Sequence, residues 1–273
     1  MQDVLIALQP DLASKIALRY THRLEESARF NMQAIHIPDL DDHGHSPGSG
    51  WVHQTWENSI VQQAGEEIAK LIHKEFSYYS IAKPKIVPGQ RDQVILEEMR
   101  RNNYDFFIEG LLHSFEPDRF FKKLDSDLYR NLACPVLMVK NSVDLGRGIQ
   151  IVGTPDSFSS VLSWFFQLWD ELPAEPDILV CHFETSMEKA IFLENDSNLI
   201  SDIADRFVKH GKKTASINTV KGSSTELVPF VRDHALLLAP LPKSSSHMAH
   251  MLAMTPCPIL FCPELKIDKF VKS

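Results

Sequence analysis

Along the chain, short unbroken apolar runs alternate with longer stretches whose apolar residues recur every three to four positions. The first pattern marks buried strands and the second amphipathic helices. Strands are predicted at Val4 to Leu8, Met32 to Ile37, Lys83 to Val87, Phe106 to Ile108 and Pro135 to Lys140. Between them, Asp11 caps a helix with Leu12, Ile16, Tyr20, Leu24 and Ala28 on one face. Trp56, Ile60, Ala64, Ile68 and Ile72 mark a second helix, Asp92 to Asn102 a third, and Ser126 to Leu132 a fourth. The pattern then starts again. Strands are predicted at Ile149 to Val152, Ile178 to Phe183, Thr214 to Val220, Ala235 to Ala239 and Ile259 to Cys262. Helices are predicted at Ser157 to Leu172, Leu199 to His210, Glu226 to Asp233 and Ser246 to Met254, with Pro229 weakening the third.

Three echoes link the two runs. "LQPDLAS" from Leu8 matches "GTPDSFS" from Gly153 at Pro10/Pro155, Asp11/Asp156 and Ser14/Ser159, an offset of 145. Gly89 and Gly222 follow strands at an offset of 133. "ACPVLMV" from Ala133 and "PCPILFC" from Pro256 place Cys134 and Cys257 at an offset of 123. An offset that shrinks steadily is the mark of one unit copied, with loops shortened in the second copy. Strands alternating with helices imply parallel sheets covered on both faces. The fold class is therefore α/β, as two tandem five-stranded parallel-sheet open sandwiches. The units span residues 1–142 and 149–273, with a linker over 143–148 inside the charged, glycine-containing stretch Asn141 to Gly148. Each Cys-Pro stops a helix and starts the last strand, because proline donates no hydrogen bond and pushes the residue before it to extended backbone.

Composition narrows the function. The chain has 273 residues, 44% of them hydrophobic, and a formal net charge of −8. Its Lys/Arg pairs are short and scattered, so nucleic acid is not an expected partner. No apolar run is long enough for a membrane span, and "MQDVLIALQPD" is too acidic for a signal peptide. Four cysteines without a Cys-x-x-Cys pair fit reduced thiols in the cytoplasm. Cys257 and Cys262 should face opposite ways, which argues against shared metal ligation.

The order of elements, the glycine before the third helix and the "ACPVL" entry to the last strand resemble the universal stress protein family over nearly the whole chain, in two copies. The resemblance implies the adenine nucleotide alpha hydrolase-like fold and an internal pair of halves that meet last strand against last strand, with a homodimer of the whole chain and a protein partner as further candidates. It also implies a cleft at the carboxyl ends of the first and fourth strands of each unit, where many members bind ATP.

Nucleotide-binding members carry Gly-x-x-Gly, nine residues, then Gly-Ser or Gly-Thr after the fourth strand. Here Gly110 fits the first slot, His113 takes the second, and Asp125-Ser126 arrives two residues late. The second unit has only "APLPKSSSHM", without glycine, and the aspartate expected after the first strand is Gln9 or Gly153. The residues left to form such a cleft are Pro10, Ile37, Gly110 and Ser126. No tight ATP site and no other cofactor is predicted, and the reading is a non-catalytic cytoplasmic stress-response protein that acts by binding. Two alternatives stand beside it: a protein or enzyme that uses ATP or AMP, and a small-ligand or metal-binding module. The loop "DLDDHGHSPGSGWVH", with His43, His45, His53, Asp41 and Asp42, reads as solvated rather than as a metal site. Ser246, His247 and His250 lack a nucleophile elbow and read as helix surface. The helix carrying Trp164, Phe165, Leu168 and Trp169 reads as packing, and Phe115, Phe120 and Phe121 would fill the cleft or dock a partner.

Overall fold

The computed structural model describes residues 1–25, 29–38, 51–75, 81–112, 117–141, 145–168, 175–185, 189–193 and 197–264, without the side chains of 51–57, 145 and 197. The first unit runs β1 (Gln2–Ala7), α1 (Leu12–Glu25), β2 (Phe30–His36), α2 (Trp51–Glu75), β3 (Ile81–Ile86), α3 (Arg91–Arg101), β4 (Phe106–Gly110), α4 (Asp118–Leu124), α5 (Asp127–Asn131) and β5 (Val136–Val139). The second runs β6 (Ile149–Gly153), α6 (Phe158–Leu168), β7 (Asp177–Phe183), β8 (Ile191–Phe192), α7 (Ser197–Lys209), β9 (Ser216–Gly222), α8 (Ser224–Leu227), β10 (Leu236–Pro240), α9 (His247–Met254) and β11 (Ile259–Cys262). In each unit five parallel strands take the order third, second, first, fourth, fifth. The second unit adds β8, a two-residue antiparallel edge strand that the sequence pattern does not signal.

The two sheets join edge to edge through β5 and β11, which pair antiparallel. Leu137 faces Leu260, Val136 faces Phe261 and Met138 faces Ile259. Leu137 and Leu260 hold the same place in their units. The other two pairs exchange places across them, as an isologous two-fold contact requires. Last strand therefore meets last strand. The prolines enter both edges alike: the Pro135 carbonyl accepts the Phe107 N–H, and the Pro258 carbonyl accepts the Leu237 N–H, both at 3.0 Å.

Alternation along the strands builds two cores, one per face. One holds Val4, Ile6, Phe106, Ile108, Leu238 and Leu260 under α1, α2, α6 and α7. The other holds Leu5, Phe107, Met138, Leu237, Ile259 and Phe261 under α3, α4, α5, α8 and α9. Both cores run across the seam. Cys257 and Cys262 lie in opposite cores, and all four cysteines are free thiols. On α6, Trp164, Phe165 and Leu168 are buried, and the Trp164 indole donates to the Pro263 carbonyl at 2.9 Å. Trp169 lies outside the described residues.

One helix departs from its expected face. On α1 the buried positions are Ser14, Ala17, Leu18, Tyr20 and Thr21, while Leu12 is exposed. Strict four-residue spacing drifts around a 3.6-residue helix, and contact with the neighbouring unit draws in the side bearing Tyr20. The Tyr20 hydroxyl donates to the Ala235 carbonyl of the second unit at 2.9 Å.

Candidate functional site

The order of strands puts a crevice at the carboxyl ends of β1 and β4, and another at those of β6 and β10. In the first unit three of the four predicted residues border one crevice. Asp11 caps α1, its carboxylate accepting the Ser14 N–H at 2.8 Å, and the Ser14 hydroxyl in turn accepts the Gln9 N–H at 2.8 Å. Pro10 sits in that turn. The Ile37 carbonyl is taken by the Gln9 side-chain amide at 3.3 Å. Gly110 ends β4 against the first turn of α1, and a Cβ there would overlap the Ala13 carbonyl. Its missing side chain thus lets helix and strand close on each other. Ser126, the fourth residue, caps α5 after the intervening α4.

The groups that fill this end of the unit belong to no motif in the sequence. Glu109, next to Gly110, is 2% exposed. Arg91 Nη2 lies 2.5 Å and Lys123 Nζ 2.7 Å from its Oε2, and the Tyr129 hydroxyl donates to Oε1 at 2.6 Å. Burial by itself would raise the Glu109 carboxyl. The Arg91 and Lys123 charges, with hydrogen bonds from Lys123 and Tyr129, hold it below the ordinary carboxylate range. Asp92 accepts the Leu128 N–H at 3.4 Å, and Ser126 Oγ the Tyr129 N–H at 3.5 Å. The Leu128 and Tyr129 N–H groups of α5 and the Arg91 and Lys123 cations are therefore occupied by this chain's own oxygens. The available signal was the charged residue inside the apolar run "FFIEG".

Where a phosphate loop would lie, the first unit has α4, and α4 crosses the seam. Phe120 is buried, 6.1 Å from Phe261 between ring centroids, and Phe121 meets the His250 ring at 4.8 Å. The Asp125 side chain is hydrogen-bonded to Ser244 of the second unit, which with Arg130 lowers its carboxyl. Phe120 and Phe121 thus pack against the second unit. His113 and Phe115 lie outside the described residues.

The second crevice is built differently. Phe107 pairs with Val136 and Leu237 with Ile259, so β4 and β10 correspond residue for residue. Ala239 stands where Glu109 stands, and Pro240 where Gly110 stands. The Thr154 N–H is held by Ser157 Oγ at 2.9 Å, the counterpart of Gln9 and Ser14. Ser159, matched to Ser14 by the sequence echo, instead contacts Arg206. Ser246 caps α9, accepting the Ala249 N–H at 3.1 Å and donating to the Lys243 carbonyl. His247 stacks on Phe183 and Lys243 is exposed.

The loop with His43 and His45 lies outside the described residues, as does the side chain of His53. Among the described residues no group of three or more His, Cys, Asp or Glu side chains is placed to hold a metal. Among them, too, no helix is long and apolar enough to cross a membrane.

No protein-family model matches the chain, and no curated protein matches it. Solved structures do. A universal stress protein from Archaeoglobus fulgidus DSM 4304 superposes with a TM-score of 0.66 at 11% identity, covering 96% of this chain and 96% of that one. A functionally unknown protein from Pseudomonas aeruginosa PAO1 gives a TM-score of 0.56 at 13% identity, covering 96% of this chain and 92% of its own. The chain therefore carries, twice in tandem, the adenine nucleotide alpha hydrolase-like fold of the universal stress proteins.

Proposed function

We propose that the chain is a non-catalytic universal-stress-type protein of the cytoplasm that acts in a stress response by binding a ligand or partner, and that the first unit does not use ATP. The observation that carries this reading is the Glu109 carboxylate, buried beside Gly110 and held by Arg91, Lys123 and Tyr129. A triphosphate brought to this place would set further negative charge against Glu109 and Asp92, in a volume where the nearest cations are already paired. The residues present therefore do not fit a nucleotide's phosphates in the first unit, and no reaction step is derived through one. Of the two crevices, the second is the better candidate for a small ligand. Ala239 brings no charge there, and Lys243 and Ser244 to Ser246 stand at its rim.

Thermal-shift titration of the whole chain with ATP/Mg²⁺, AMP and Zn²⁺ tests this. No ATP-dependent shift is expected from the first unit. A large ATP shift abolished by changing Gly110 and Ser126 together would overturn the reading. One abolished only by Lys243→Ala would move the nucleotide to the second unit. A zinc shift lost in a His43/His45 double variant would favour the metal-binding alternative.

A further inference from the structure

The Cys-Pro turn of each unit is faced across the seam by the first helix of the other unit. Strand register makes Asp105 the counterpart of Ala235, and the repeated turn makes Cys134 the counterpart of Cys257. In the second unit the space beside this turn is filled. Tyr20 of α1 reaches into it, fully buried, and its hydroxyl donates to the Ala235 carbonyl at 2.9 Å. In the first unit the corresponding space is open. A cleft of about 310 Å³ lies there, lined by Asp105, Cys134, Leu96 and Leu132 of the first unit and by Trp164 and Gln167 of α6. Trp164 does not fill it as Tyr20 fills its counterpart, because the indole N–H is held by the Pro263 carbonyl at 2.9 Å. The cleft sits at the amino ends of β4 and β5 and shares no residue with either crevice.

We propose that this cleft binds a small phenol, held where the second unit holds the Tyr20 side chain. The occupant's chemistry is read from the other half of the molecule, where the same turn and the same strand entry close on a phenol ring whose hydroxyl is hydrogen-bonded. Apolar surface is ready for a ring. Leu96, Leu132 and Trp164 line the cleft and each keeps 8% of its surface exposed. An apolar cavity of about 150 Å³ already takes one benzene ring inside a protein, so the space suffices for a ring and its substituents.

The polar groups of the cleft are available to such a ligand. Asp105 Oδ2 accepts the Asp3 N–H at 2.8 Å, while Oδ1 has no partner among the described residues and can accept a hydroxyl. Arg100, in the last turn of α3, also lines the cleft; it is exposed and makes no ion pair among the described residues. Its planar guanidinium can lie against the face of a ring. An aliphatic ligand would forgo the flat surfaces of Arg100 and Trp164, and a carboxylate in place of the hydroxyl would be repelled by Asp105. Burial pushes the Cys134 thiol up to about 12, so it stays protonated and serves as an apolar neighbour rather than a nucleophile. Binding is therefore non-covalent.

Calorimetric titration of the whole chain with p-cresol, the tyrosine side chain as a free molecule, tests the site. One saturable site is expected, with a Kd on the order of 1 mM or below, as a ligand of this size permits. Toluene, which lacks the hydroxyl, should bind at least ~fivefold more weakly. Ala133→Trp, at an exposed position lining the cleft, should fill it and weaken p-cresol at least ~tenfold. Absence of saturable binding, equal affinity for toluene, or p-cresol affinity unchanged by Ala133→Trp would each overturn the proposal. Should Ala133→Trp fail to fold, Asn103→Trp, from another exposed lining position, must show the same loss, and wild-type affinity in that variant would overturn the proposal equally.

Discussion

The two units share a sheet order, a strand-entry proline and a seam, yet they differ at the place where their common fold positions a ligand. In the first unit β4 ends Glu109-Gly110; in the second β10 ends Ala239-Pro240. The first has taken up a buried ion cluster and an extra helix, α4, and has spent that helix on contact with its neighbour. The second keeps a short loop into α9 and buries no charge there. A duplicated unit can thus keep its architecture, carried by strands and their register, while its crevice is rebuilt by one or two residues at a strand end. The asymmetry is also mechanical. α9 of the second unit is gripped at its N-terminal loop by Asp125, at its middle by Phe121 and at its C-terminal end by Lys140, all from the first unit. Nothing among the described residues of the second unit grips α5 in the same way.

The largest effect is expected where the units are alike. Val136 and Ile259 are buried at the seam. Val136→Asp or Ile259→Asp would place an unpaired carboxylate between two cores, at a cost upward of about 4 kcal/mol. Denaturant unfolding and small-angle scattering should show a destabilised or separated pair. The same change at Lys83, on the outer edge strand β3, should stay within about 0.5 kcal/mol. A docked and stable Ile259→Asp protein would show that the edge pairing is not what unites the sheet.

Next comes the position where the units differ most. Glu109→Ala leaves Arg91 and Lys123 facing each other without their carboxylate, and should cost about 3–5 kcal/mol. The reciprocal Ala239→Glu should also destabilise, since the second unit offers no matching pair of cations among its described residues. The pH dependence follows from the lowered Glu109 carboxyl. Its contribution is fully present above the ordinary carboxylate range and is lost as pH falls through the depressed value. Glu109→Gln should therefore lower stability across the neutral and alkaline range and flatten the acid limb of the profile, the two proteins converging as pH falls. An unchanged acid limb would mean that the cluster is solvated rather than closed.

How far the sequence could be read follows the same division. The strands are legible because each is a short apolar run bounded by turn residues, and the repeat because Cys-Pro before the last strand occurs twice. Phe158–Leu168 is legible because Ser159, Ser160, Ser163 and Gln167 recur on one side and the large apolar residues cover the rest. α4 is not, because "DRFFKKL" is seven residues with charges at both ends, and its two phenylalanines gain their meaning only from Phe261 and His250, more than a hundred residues away. β8 escapes for a similar reason: two residues carry no period. Glu109 and Lys140 are each visible as a charge at the end of an apolar run. Such a residue reads as the last exposed position of a strand until the partners that bury it are known. Nor does the cleft yield to motif matching, since Gly110 meets the first slot of a phosphate loop while serving the approach of Ala13.

The smallest effect is expected at Gly110 and its counterpart Pro240. Gly110→Ala adds a Cβ into the backbone of Ala13, where no side chain can move aside, so β4 or the first turn of α1 must shift. Overpacking of this kind costs about 1–3 kcal/mol. Pro240, its counterpart, already carries a Cβ in a half-buried place, so Pro240→Ala should change stability by no more than about 1 kcal/mol. If the glycine instead served a backbone approach by phosphate, Gly110→Ala would leave unfolding free energy nearly unchanged and remove a nucleotide-dependent thermal shift. Measuring both variants with and without ATP/Mg²⁺ separates the readings by sign. Stability lost without any change in nucleotide response assigns Gly110 to the packing of α1. The reverse pattern would return it to a phosphate loop and reopen the first unit as a nucleotide site.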